Sequence, residues 1–168
     1  RVDTLINGDR VDALSLITIS VRQEGDLVAI VDAFMRRGIR AISPWRDQVA
    51  AAGLGRVVRA VRDAGMSLSG YCRAGMFAAD RSMRDGVRDD NRRAIDEALE
   101  LGASSTVVVP GGLPQFSRPG SAPGKDIAAT RALVVEELGV LLQHAKSCGM
   151  KLALEPLHPM HAASRGCV

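Results

Sequence analysis

The feature that most constrains this chain is a repeated unit in which a short apolar, β-branched run is followed by an amphipathic segment of helical spacing. "LSLITIS" (Leu14 to Ser20) precedes "DLVAIVDAFMRRG", whose Leu27, Ile30, Val31 and Phe34 fall on one helical face. "IRAIS" (Ile39 to Ser43) precedes "GLGRVVRAVRDAG", with Leu54, Val57, Val58 and Val61 on one face. "MSLSGYC" (Met66 to Cys72) precedes "DDNRRAIDEALELGA", for which Asp89 or Asp90 serves as N-cap and Gly102 as C-cap. "STVVVPGG" (Ser105 to Gly112) is a fourth strand stopped by a proline. A long helix follows from about Asp126 to Ser147, closed by Gly149, and "KLALEP" makes a fifth strand.

Strands apolar on both faces that alternate with amphipathic helices require parallel pairing through right-handed crossovers. The class is therefore α/β. An open doubly wound sheet and a (β/α)₈ barrel both satisfy the pattern, and 168 residues favour the open sheet, since a barrel typically needs roughly 250 residues. The first strand, however, runs into "SVRQEGD", whose single glycine gives no dinucleotide fingerprint. In either architecture the chemistry sits at the C-terminal strand ends: "SVRQ", "SPWRDQ", "CRAGMF", "PGGLPQF" and "EPLHPMH".

Composition excludes several classes. A hydrophobic fraction of 46% over 168 residues supplies one core, so residues 1–168 are expected to form a single domain. The 22 basic and 19 acidic residues are interspersed, and aromatics make up 3%, which argues against a nucleic-acid partner. Cys72, Cys148 and Cys167 are odd in number and lack metal-ligand spacing, which suits a reducing, cytoplasmic compartment. No apolar run is long enough to span a bilayer and no signal-peptide core is present, so no membrane partner is expected.

"NRRAIDEALELGASSTVVVPGG" followed by "GMKLALEPLHPMHAA" resembles the sugar phosphate isomerase/epimerase group of xylose-isomerase-like TIM barrels. The resemblance runs from Leu14 to Val168, with "LALEPLHP" its most specific part. It implies a (β/α)₈ barrel of which this chain carries the first five strands. The function it implies is proton transfer next to a carbonyl on a sugar, keto-sugar or inosose, with dehydration as a related outcome. It also implies that Glu155 binds a divalent metal, manganese, magnesium or cobalt, with zinc as the alternative, and that His158 contacts a substrate hydroxyl or carbonyl. Trp45 would form an apolar wall of the sugar pocket, and Arg73 would hold an anionic substrate group. His161 has no counterpart in that pattern.

The chemistry is coherent with the residues. Proton transfer beside a carbonyl needs a base and a Lewis acid, and a metal-bound carboxylate next to a neutral imidazole can provide both the electrostatics and the proton transfer. Pro156 stops strand pairing, which places Glu155 at the rim of the sheet. "PGGLPQFSRPGSAPGK" (Pro110 to Lys125) exceeds an ordinary βα turn and is expected to be a lid. The related AP endonucleases need histidines after the third and fourth strands, where this chain reads "CRAG" and "PGGL". DNA repair is therefore not expected.

The metal ligands that the resemblance assigns to strands six to eight have no counterpart here, so the native chain is expected to continue past Val168. The alternatives are a non-catalytic half-barrel and a small-polyol binding module. Five strands leave open sheet edges, for which a homo-oligomer is the expected cover.

Overall fold

The computed structural model describes residues 14–77, 81–113, 126–161 and Gly166. These group into two compact units, 1–72 with 97–105 and 73–96 with 106–168.

In the first unit, β1 (Ser15–Ile17), β2 (Ala41–Ser43) and β3 (Ser67–Leu68) form a parallel sheet in that order, with Ser15 opposite Ala41 and Ala41 opposite Ser67. Three helices accompany it, α1 (Leu27–Arg36), α2 (Arg46–Ala52) and α3 (Leu54–Asp63). The apolar face read from the sequence is the one buried on α1: Leu27, Ile30, Val31 and Phe34 all lie in the core. Asp26 caps that helix by accepting from the Val28 N–H at 2.8 Å, and Arg56 binds its other oxygen at 2.6 Å. Both contacts hold its carboxyl below the usual carboxylate range, the backbone bond most strongly. Val57 and Val61 of α3 and Ile42 of β2 complete the packing.

A second sheet has the order β4 (Tyr71–Gly75), β5 (Thr106–Val109), β6 (Leu152–Leu154), with Thr106 opposite Leu152 in parallel register; all of it but Tyr71 and Cys72 belongs to the second unit. Its helices are α4 (Arg84–Leu101), which begins in this unit, and α5 (Ile127–Ser147). Ala94, Ile95, Val108, Val134 and Ala145 are buried there. So is the carboxylate of Glu137, which takes both Arg88 Nε and Nη2 at 2.8 Å. A buried acid requires such a partner, and the bidentate geometry supplies it.

Several boundaries differ from the sequence reading. The first strand ends at Ile17, and Thr18–Glu24 form a 3₁₀ segment, with the Thr18 hydroxyl donating to the Gln48 side chain. "MSLSGYC" holds two strands of different sheets: Ser69 N–H still bonds Ile42 O, whereas Tyr71 N–H bonds Ser105 O. As a result "CRAG" lies within β4 and is not a loop after it. "WRDQ" is also not a loop, since Arg46 begins α2 with Trp45 as N-cap. Asp89 and Asp90 do not cap α4. That helix starts five residues earlier, at Arg84, and the two aspartates instead pair with Arg92 and Arg93 at i+3 along its surface.

The expected stops at Gly102 and Gly149 hold, with φ of 73° and 75°, and the helix expected from about Asp126 starts at Ile127, with Asp126 as an N-cap that accepts from Ala129 N–H. Residues 114–125 of the expected lid, and Cys167, lie outside the described residues. Among the described residues no helix is long and apolar enough to cross a membrane.

Candidate functional site

Glu155 follows the last residue of β6, and its N–H donates to Val108 O at 3.0 Å, one step beyond the Val108–Leu154 pair. The ladder ends there because Pro156 carries no donor. The side chain is half-buried and makes no hydrogen bond or ion pair with a described residue. A half-buried carboxylate at a strand end with no cation paired to it among the described residues is a candidate ligand for one.

His158 follows three residues later and is exposed. Its Nδ1 accepts from Met160 N–H at 3.2 Å, an arrangement that in the neutral ring leaves the proton on Nε2. Nε2–H is then a donor suited to an oxygen. His161 closes the 3₁₀ turn Pro159–His161, donating its N–H to His158 O at 2.8 Å. Among the described residues no group of three or more His, Cys, Asp or Glu side chains could hold a metal. Glu155 thus offers one oxygen ligand of a set that is incomplete among them.

Trp45 belongs to the first unit, at the end of β2. Its N–H donates to Thr18 Oγ1 at 3.0 Å, and Arg22 lies over the indole with its guanidinium carbon 6.0 Å from the ring centre. Asp47 holds that arginine at 2.5 Å. The indole Nε1 is buried without a partner among the described residues. The ring carries a cation tethered by a carboxylate. Thr18, Arg22 and Asp47 went unassigned because their pairings span 25 to 30 positions, which no local pattern encodes.

Arg73 lies on β4, on the same side of the strand as Tyr71. The Tyr71 hydroxyl donates to Glu97 of α4 at 2.7 Å, so this side faces the helix. Burial and Glu97 together push the Tyr71 ionisation well above its ordinary range. Arg73 shares a groove with Asp90 and Asn91 of α4, separate from the β6 end that carries Glu155 and His158.

The family model for the xylose isomerase-like TIM barrel matches residues 30–165. Among solved structures, the chain is similar to protein SMc04130 from Sinorhizobium meliloti 1021 at 50% identity and a TM-score of 0.86, covering 94% of this chain and 55% of that one. It shares its fold with 3-keto-D-glucoside 4-epimerase YcjR from E. coli, at 19% identity and a TM-score of 0.63, over 83% of this chain and 53% of that one. It shares it also with an IOLI protein that binds a zinc atom, at 14% identity and 0.69, over 86% and 52%. The chain spans about half the length of these relatives, and no protein of curated function matches it. The parallel strands alternating with helices, in sheets that do not close, are part of such a barrel. The chain belongs to the xylose isomerase-like TIM barrel family.

Proposed function

We propose that the complete protein is a divalent-metal-dependent isomerase or epimerase of a sugar or keto-sugar. The observation that carries this reading is the half-buried carboxylate of Glu155, set at the end of β6 with no cation paired to it among the described residues. Two similar folds support it, one solved for a sugar 4-epimerase and one with bound zinc.

Glu155 would hold the metal, which when bound supplies a Lewis acid at the substrate oxygens. Carboxylate oxygen and imidazole nitrogen suit manganese, magnesium, cobalt or zinc. His158 would donate its Nε2 proton in a hydrogen bond to a substrate hydroxyl or carbonyl oxygen, a role that this tautomer favours over metal ligation. Trp45 would contribute an apolar face to a sugar, on the family resemblance. The test is removal of metal from the full-length native protein with a chelator, using ketose epimerisation as readout. Activity that disappears and returns with manganese supports the reading, and activity indifferent to the chelator contradicts it.

A further inference from the structure

Arg73 is half-buried and makes no hydrogen bond or ion pair with any described residue. It opens onto a groove of about 360 Å³ between β4 and the first turns of α4, which Gly75, Met76, Ser82, Gly86 and Asp90 also line. A half-buried guanidinium that no described carboxylate neutralises bears part of its desolvation cost without compensation. Asp90, the acid lining the groove, is already paired with Arg93 at 3.1 Å, and nearby Asp85 lies 3.7 Å from Arg88. Among the described residues the unpaired charge of the groove is therefore positive. The first turn of α4 adds to it, since helix N-termini carry partial positive charge. Gly86 and Ser82 add little bulk to the lining, while the guanidinium fork offers parallel donors matched to two oxygens of one anion.

We propose that this groove is a binding site for a small oxyanion of phosphate or carboxylate type, held by Arg73. The resemblance implies an anionic substrate group at Arg73; the groove proposed here stands on the α4 side of β4 and is lined by neither Glu155 nor His158, so its oxyanion binding is separable from the isomerase or epimerase reading.

Calorimetric titration of the full-length native protein, freed of metal by chelation, with sodium phosphate and separately with sodium acetate tests it. Saturable binding of at least one anion is expected, weakened at least tenfold by Arg73→Gln, and the anion that saturates at lower concentration identifies the ligand type. Binding of neither anion, or binding that Arg73→Gln leaves unchanged, would overturn the proposal. Should Arg73→Gln fail to fold, Gly86→Glu provides the second arm. A Cβ at Gly86 meets no atom within 4 Å, and the new carboxylate would occupy the guanidinium in place of the anion. Gly86→Glu is expected to abolish the binding, and unchanged affinity in that variant would equally overturn the site.

Discussion

Asn91 of α4 grips Gly75 of β4 by both of its backbone groups: the amide oxygen accepts from Gly75 N–H at 2.6 Å, and the amide nitrogen donates to Gly75 O at 3.0 Å. Asn91 is 3% exposed, so water cannot replace either bond. One side chain thus fixes the end of the strand against the helix.

Asn91→Ala removes a partner from two buried backbone groups and is expected to cost about 2–6 kcal/mol, each unsatisfied group contributing about 1–3 kcal/mol. Asn91→Asp keeps the acceptor but loses the donor, and should fall between wild type and Asn91→Ala. Urea unfolding of the three proteins checks the order. Equal midpoints for Asn91→Ala and wild type would show that the bridge contributes nothing.

Gly75 itself tolerates no side chain. Its φ is 109°, and a Cβ there would lie 2.0 Å from Val109 O and 2.7 Å from Val109 C, both backbone atoms. Gly75→Ala is expected to destabilise by about 3–5 kcal/mol, since the strand must move and the backbone conformation is strained. A melting temperature unchanged by this substitution would refute the tight β4–β5 approach.

Tyr71 gives a prediction in pH. Its hydroxyl donates to Glu97, which Arg46 also binds at 2.7 and 3.0 Å, and the folded-state pKa lies above the ordinary 10.0. A raised folded pKa contributes stability that is fully present below pH 10 and is lost as pH rises above it, where the unfolded phenol ionises first. The stability difference between wild type and Tyr71→Phe should therefore be constant from pH 7 to 9 and shrink at higher pH. Denaturation curves across that range measure it, and a difference that grows above pH 10 would reverse the assignment.

The sequence carried the parts of the fold that depend on near neighbours. The apolar faces of α1 and α3, the cap at Asp126 and the stops at Gly102 and Gly149 all rest on residues within a few positions of one another. The break between β3 and β4 was not legible, because it depends on Ser69 pairing with Ile42 and Tyr71 pairing with Ser105, partners 27 and 34 residues away. For the same reason the side of β4 that Arg73 occupies could not be read from "CRAG", whose place within a strand was itself unknown. Glu155 was legible because an apolar run, a carboxylate and a proline are adjacent in the chain. The arginine over Trp45 was not, since it returns from a turn 23 positions earlier.

The central claim, that Glu155 is a metal ligand, is tested most directly by calorimetric titration of manganese into full-length native protein and its Glu155→Gln variant. The amide keeps the size of the side chain and removes its charge. Loss of a charge-assisted contact of about 1.5–3 kcal/mol corresponds to a roughly ten- to hundredfold weaker affinity for manganese, and that is the expected result. Equal affinity in the two proteins would show that the carboxylate at the end of β6 does not hold the metal.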